Sequence, residues 1–358
     1  MSKKTAAIIG ATGIAGQQFV AALRDHPLFE VTHLAASPRS AGKSYQDALR
    51  EPSGALGWWC QEELPRDFAA MKVLDSAEFD ARTVDVVFAA VESDAAKELE
   101  PRYGATTPVI STASAFRYFE DTPILIPGVN NEHIKLLRRQ QQERGWKGFV
   151  TPIPNCTTTG LAIALKPLQD AFGIEGVLLT SMQAMSGAGR RGGVLGLDAM
   201  ENVIPFIPGE EEKVQKETQK ILGVLSDGHI APARFGVSAT CTRVGVIDGH
   251  TEAVFVATRK PCSVEEAKAA MREFGGELQG LASAPEPLIF VHEDPFRPQP
   301  RRDRDMNNGM TTVVGRVREE QVLGASGVKF VLVSHNTKMG AARGAVLVGE
   351  LLVREGFI

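Results

Sequence analysis

Apolar and polar positions along the chain predict strands and helices that alternate through the first half. Thr5-Ala6-Ala7-Ile8-Ile9 is an apolar run of strand length; Gly10-Ala11-Thr12-Gly13-Ile14-Ala15-Gly16 follows, and an amphipathic run continues to Leu23. Strand, glycine turn and helix in that order form a dinucleotide-binding unit. Gly10 permits a tight turn, Gly13 lets backbone approach a pyrophosphate, and Gly16 lets helix pack on strand. The plainer alternative is a helix cap with flexible glycines. Further strands are predicted at 31–36, 71–74, 84–90 and 108–111, with helices from 94 to about 103 and from 131 to about 144. Such alternation reads as a parallel sheet covered by helices.

The second half has a different rhythm. Long alternating runs at 176–183, 253–257, 312–318 and 328–333 are broken by helical patterns at 209–222 and 263–274, which predicts an α+β domain with a mixed or antiparallel sheet. Its broad sheet face suits a dimer interface. A last helix over about 337–355 starts with small residues that let it lie against another backbone or a flat ring, and it is expected to return to the first domain. The fold class is therefore α/β: an N-terminal Rossmann-type parallel-sheet domain and a second α+β domain carrying a mixed or antiparallel sheet. The predicted division is 1–155 with 336–358, and 156–335.

Between the halves, strand-like Gly148-Phe149-Val150-Thr151-Pro152-Ile153 gives way to Pro154-Asn155-Cys156-Thr157-Thr158-Thr159-Gly160 and then to a helical pattern at Leu161, Ala164, Leu165, Leu168 and Phe172. Cys156 is thus predicted in the first turn of a helix. Unpaired N–H groups and the positive end of the helix dipole favour a thiolate there, lowering an ordinary cysteine pKa of about 8.5 toward neutrality. A lone cysteine in a chain this long is more commonly a small buried hydrophobe, so only partners elsewhere give it a role.

Composition narrows the classes. The 358 residues favour two domains, and 43% hydrophobic with 23% charged residues is globular. The net charge of −4, with no long basic run, argues against nucleic acid as a partner. Met1-Ser2-Lys3-Lys4 leads into an apolar segment too short for a signal-peptide core, and no apolar run approaches about 18 residues, so a cytoplasmic protein is expected, with no membrane partner. Cys60, Cys156, Cys241 and Cys262 contain no Cys-x-x-Cys pair, which predicts neither a metal site nor a disulfide framework.

Other side chains could join the cysteine. The second strand ends in Ser37-Pro38-Arg39-Ser40-Ala41-Gly42-Lys43 with no acidic residue for ribose hydroxyls; hydroxyls and an arginine suit the 2′-phosphate of NADP instead. Arg117 follows the fifth strand, at the edge where ligands collect in such sheets. Gln183 ends a long strand before Ser186-Gly187-Ala188-Gly189, Glu210-Glu211-Glu212-Lys213 opens a helix, and Arg243 and His250 flank a short connection. Each alone has a dull reading: strand-end amide, solvated helix face, surface ion pair, turn histidine.

Together they resemble the aspartate-β-semialdehyde dehydrogenase family, particularly its archaeal and fungal branch. The resemblance runs nearly end to end, through the glycine loop, the 37–43 loop, Pro154 to Gly160, Gln183-Ala184-Met185-Ser186-Gly187-Ala188-Gly189, Glu210 to Lys213, Arg243 to His250, Arg302-Asp303-Arg304-Asp305 and Asn336-Thr337. It implies NADP-dependent reductive dephosphorylation of L-4-aspartyl phosphate to the semialdehyde through a cysteine thioester, in lysine, threonine and methionine biosynthesis. Cys156 is implied as nucleophile, His250 as general acid/base and Gln183 as the group orienting the intermediate. Arg243 would clamp the substrate carboxylate and Glu210 meet its amino group, with Lys213, Arg117 and Asn155 holding phosphate. Gly10, Thr12, Gly13, Ile14, Gly16, Ser37, Arg39, Ser40, Ser186, Gly187, Asn336 and Thr337 would hold NADP, in a homodimer or homotetramer.

The chemistry is consistent: a thiolate converts an acyl phosphate to a thioester, and the collapsing hemithioacetal needs a proton donor with a pKa near neutral. Thr112, where the family commonly has Asn, and Ala89-Ala90-Val91-Glu92, where it has Ser and Leu-Pro, depart from the pattern. Two alternatives stay open: malonyl-CoA reductase, a paralogue sharing the cysteine, glutamine and histidine, and a non-catalytic nucleotide-binding protein on the same scaffold.

Overall fold

The structure, a computed structural model, describes residues 2–189 and 196–358; Met1, where the N-terminal reading begins, lies outside them. The chain divides into two compact units, 1–123 with 133–153 and 341–358, and 124–132 with 154–340.

In the first unit, strands β1 (Lys4–Ile9), β2 (Phe29–Ala36), β3 (Val73–Asp75), β4 (Val86–Ala89), β5 (Val109–Ser111) and β6 (Val150–Pro152) form a parallel sheet in the order β3-β2-β1-β4-β5-β6. This is the dinucleotide-fold order, and it bears out the parallel-sheet expectation. Phe19 of the helix Ile14–Leu23 packs on Phe88 with ring centroids 5.3 Å apart, and Phe29 meets the same ring edge-on at 5.4 Å. All three are fully buried, each contributing about 1.5–3 kcal/mol of hydrophobic stabilisation.

The glycine turn is built for close approach. Gly10 adopts φ +80°, and a Cβ on Gly16 would lie 2.1 Å from the Gly10 carbonyl oxygen. Only glycine satisfies both positions. A Cβ on Gly13 would meet nothing nearer than 3.5 Å, so the protein itself does not demand glycine there; a group approaching from outside would. Contacts from later in the chain brace the turn: Tyr45 donates its hydroxyl to the Ala11 carbonyl at 2.7 Å, and the Gln17 amide bridges Gly57 and Trp59.

The second unit carries β7 (Ile174–Gln183), β8 (Val203–Ile204), the hairpin β9 (Val224–Ser226) and β10 (His229–Ala231), then β11 (Gly236–Val244), β12 (His250–Thr258), β13 (Ile289–Val291), β14 (Thr312–Glu319) and β15 (Gly327–Ser334). Seven of them form a mixed sheet in the order β13-β14-β15-β12-β7-β11-β8, as expected for this half. β11 escaped the sequence reading because its Ser, Thr and Ala positions give weak hydrophobic alternation. The helix Cys156–Phe172 covers the sheet and is buried on almost every side from Thr157 to Leu165, rather than along one stripe. The last helix also differs from expectation: a π-turn, Lys338–Ala342, precedes the regular helix Arg343–Arg354.

Glu252 lies on the covered face of β12, between Ser181 and Leu332, with neither carboxylate oxygen partnered among the described residues. Burial holds its pKa well above the ordinary 4.5. The folded protein therefore keeps a proton that the unfolded chain releases, and stability is lost as pH rises above the unfolded value. Glu252→Gln is expected to raise stability by as much as about 3 kcal/mol at pH 7 and to have little effect near pH 4. Urea unfolding at the two pH values measures this; equal effects at both would disprove it.

Candidate active site

Asn155 caps the nucleophile helix. Its side-chain oxygen accepts from the Thr157 and Thr158 amides at 2.9 and 3.3 Å, and Cys156 is the first helical residue. Asparagine is among the best residues for this job, since it satisfies N–H groups that the helix leaves orphaned. A Cβ on Gly340, in the π-turn, would lie 2.9 Å from the Cys156 Cβ, so the small residue there lets a second backbone lie against the cysteine.

His250, the first residue of β12, is fully buried with Nε2 3.1 Å from Cys156 Sγ. Its other ring nitrogen, Nδ1, receives the backbone N–H of Ala184 at 3.0 Å. Burial above all, then the charge of Arg243 and the neighbouring His335, push the His250 pKa from 6.5 down to about 3. Burial thus favours the neutral ring over the imidazolium.

Arg243, at the end of β11, is buried and donates Nη1 to the Ala184 carbonyl at 2.8 Å. Its Nε has no partner among the described residues. Burial lowers its pKa, while Cys156 and Glu210 oppose that shift. A Cβ on Gly187 would come within 3.0 Å of the Arg243 guanidinium and 3.2 Å of the His250 ring, so this glycine leaves room for both. The 184–189 loop is tied to the connection between β11 and β12 by Met185 N–H to Val246 at 2.7 Å and Ser186 N–H to Ile247 at 3.1 Å. Asn336 completes the tie: its amide donates to Ser186 Oγ and its oxygen accepts from the Gly249 N–H, both at 2.8 Å.

The helix Glu210–Ile221 presents two carboxylates to the cap. The Asn155 side-chain amide donates to Glu210 at 2.5 Å and its backbone N–H to Glu217 at 2.6 Å. Lys213 pairs with Glu210 at 3.7 Å. Glu217 was not singled out from the sequence. Its seven-residue spacing from Glu210, which puts both acids on one helix face, was the available signal; the fold then buries it fully. Gln183, also buried, donates to Ser181 Oγ at 3.3 Å, and Thr337 meets His335 Nδ1 at 3.4 Å.

The remaining candidates belong to the first unit. Thr12, Gly13 and Ile14 lie at the glycine turn, while Ser37 and Arg39 are exposed at the end of β2 and Ser40 is buried. Arg117 is buried, its guanidinium donating to the carbonyls of Ile153 and Thr112, both at 2.9 Å. Thr112 bonds through its backbone N–H to the Ala89 carbonyl at 3.0 Å, and Glu92 is exposed at the start of the helix Ser93–Gly104.

Cysteine environments diverge sharply. Burial pushes the Cys241 thiol up to about 12 and that of Cys262 to about 11, whereas Cys156 is partly exposed at a helix start. Iodoacetamide at pH 7 is expected to label Cys156 at least about a hundredfold faster than Cys241 or Cys262, and faster than the similarly accessible Cys60. Peptide mass mapping over time reads the rates, and equal labelling of Cys156 and Cys60 would remove the helix-terminus argument. Among the described residues no cluster of His, Cys, Asp and Glu could hold a metal ion, and no helix is long and apolar enough to cross a membrane.

Residues 5–137 match the family described as semialdehyde dehydrogenase, NAD binding domain, and residues 165–339 match semialdehyde dehydrogenase, dimerisation domain. The aspartate-semialdehyde dehydrogenase of Archaeoglobus fulgidus is 46% identical over 354 residues, covering 98% of each chain, and that of Methanothermobacter thermautotrophicus is 44% identical over 347 residues, covering 96% of this chain and 97% of the relative. A crystal structure of aspartate semialdehyde dehydrogenase with NADP from Candida albicans superposes with a TM-score of 0.88 at 40% identity, covering all of both chains.

Proposed function

The chain belongs to the aspartate-semialdehyde dehydrogenases of the semialdehyde dehydrogenase family, and from that membership we propose that it interconverts L-4-aspartyl phosphate and L-aspartate 4-semialdehyde with NADP as cofactor. The observation that carries the reading is the 3.1 Å contact between Cys156 Sγ and His250 Nε2 at a capped helix start. Cys156 attacks the acyl phosphate carbonyl and holds the acyl group as a thioester. Arg243, whose partly unpartnered guanidinium is buried beside His250, takes the substrate carboxylate in its planar fork. Glu210 takes the amino group, with Asn155 and Lys213 already on its carboxylate to orient it. Lys213 and Arg117 supply cations for phosphate, and Gln183 orients the acyl intermediate. Asn155 contributes through the cap as well as through any contact with phosphate.

NADP fits the first unit's glycine turn, where only an outside group requires Gly13, and the exposed Ser37 and Arg39, with Ser40, suit a 2′-phosphate. When bound it supplies or accepts the hydride. Ser186, Gly187, Asn336 and Thr337 are further candidates for cofactor contact by the resemblance of their motifs to the family. We assign the first unit to the cofactor and the second to substrate chemistry and self-association, in a homo-oligomer consistent with the match to a dimerisation domain.

A spectrophotometric assay tests the proposal: sustained NADP reduction with aspartate semialdehyde, beyond one equivalent per site, is expected only when phosphate is supplied, and malonyl-CoA is expected to give no NADPH oxidation. Phosphate-independent turnover, or activity with malonyl-CoA alone, would overturn it. Arg39→Ala is expected to raise the KM for NADP about tenfold and leave that for NAD nearly unchanged, since only NADP carries the phosphate the guanidinium would meet. An unchanged NADP/NAD preference would return Arg39 to a solvated loop.

A further inference from the structure

The helix Glu210–Ile221 opens on three acids, which its own dipole favours whatever they touch. Of the three only Glu212 is exposed. Glu210 and Glu211, with Glu217 further along, reach other elements, and two of these contacts go to main-chain nitrogens beside reacting groups.

Fully buried Glu217 accepts the Asn155 N–H at 2.6 Å. Pro154 has no N–H, so this is the last main-chain donor before Cys156. The carbonyl of Asn155 accepts from Thr159 and its side-chain oxygen from Thr157 and Thr158, all within its own helix, while its side-chain nitrogen goes to Glu210. Among the described residues, Glu217 is thus the group that holds the Asn155 backbone from outside the helix. Glu211 does the equivalent for β11. Among the described residues β8 pairs with that strand only at Arg243 and Val244; at Cys241 the strand N–H is accepted instead by Glu211, at 3.0 Å.

We propose that Glu217 and Glu211 are positioning residues: from one helix, each carboxylate takes a main-chain N–H next to a reacting group, Asn155 before Cys156 and Cys241 two residues before Arg243, and together they set the spacing between the nucleophile and the arginine that takes the substrate carboxylate.

The residue type supports this. Burying a carboxylate costs far more than burying a neutral acceptor, and a hydroxyl or amide oxygen would also satisfy an N–H. What a carboxylate adds is a shorter and stronger bond, as the 2.6 Å contact at Asn155 is. Misplacing a reacting group by about 1 Å costs as much as about 100-fold in rate, so a stiff hold at these two nitrogens has a kinetic use that tying down a helix does not require. The kinetic consequence rests on the reading of Cys156 as nucleophile and Arg243 as carboxylate clamp; the reactivity of the thiol does not.

The two residues have separate signatures. Glu217→Leu is expected to lower kcat about 10- to 100-fold per active site, to change KM for semialdehyde less than about threefold, and to slow iodoacetamide alkylation of Cys156 at pH 7 about tenfold. Glu217→Gln keeps an acceptor oxygen without the charge and is expected to bring both rates back to within about threefold of wild type. Glu211→Ala is expected to do the reverse, raising KM about five- to tenfold and leaving Cys156 alkylation unchanged, with Glu211→Gln restoring KM. Faster alkylation in both Glu217 variants would show that charge and not the bond acts on the thiol, and would overturn the proposal. Wild-type kinetics in Glu217→Leu or Glu211→Ala, or equal losses in Glu217→Leu and Glu217→Gln, would do the same. If Glu217→Leu does not fold, Glu217→Asp, which withdraws the carboxylate by one carbon, is expected to show the same losses, and wild-type values there would refute the role of Glu217. Absence of phosphate-dependent turnover in the wild-type protein would count against the proposed function instead, while slower alkylation in Glu217→Leu would still support the hold on the cysteine.

Discussion

Cys156→Ala is expected to abolish phosphate-dependent turnover, by about 10⁴-fold or more, because the reaction loses the atom on which the acyl group is carried. Cys156→Ser is expected to recover little of this loss, since a hydroxyl is ionised far less than a thiol at neutral pH and makes an ester, from which hydride transfer is harder, in place of the thioester. The wild-type protein given semialdehyde and NADP without phosphate is expected to release one stoichiometric burst of NADPH and to acquire the mass of an aspartyl group on the Cys156 peptide. Neither variant would show it. Retention of the burst in Cys156→Ala would sink the nucleophile assignment, and mass mapping would show where the acyl group sits instead.

Arg243→Ala is expected to lower kcat/KM by about 10²–10³-fold, the loss of a desolvated two-point bond to a carboxylate. Arg243→Lys keeps the charge without the fork, so its loss is expected to be smaller and to fall mainly on KM. The substitution has a second expected consequence with a defined sign. Arg243 is one of the groups depressing the His250 pKa, so removing its charge raises that pKa, while burial, the larger cause, still holds it below the ordinary 6.5. Steady-state kinetics from pH 5 to 9 check both outcomes. A variant with normal KM for semialdehyde would show that Arg243 does not bind the carboxylate.

The elements that were legible beforehand are those whose burial is regular. β1, the glycine turn and the first helix were readable because apolar period and turn chemistry agree locally, and β7, β12, β14 and β15 because their sides differ in burial. β11 was not, although it carries Arg243, because small hydroxyl residues alternate weakly and the strand depends on its neighbours for definition. The π-turn at Lys338–Ala342 was read as plain helix because nothing in the local apolar period marks the departure; within it, Gly340 leaves room for Cys156, whose Cβ an added side chain would meet at 2.9 Å.

The amino-acid sequence alone determined the two sheet types, the cysteine at a helix start and the motif set that marks the family, because turn chemistry, periodicity and motif spacing are local properties of a chain. Only the tertiary structure decided what surrounds each group. It placed Glu217 under the Asn155 backbone, buried Glu252 without a partner among the described residues, and turned the Ala184 N–H onto His250, whose pKa burial lowers. Protonation depends on desolvation and on charges brought together from distant parts of the chain, and those quantities exist only after it has folded.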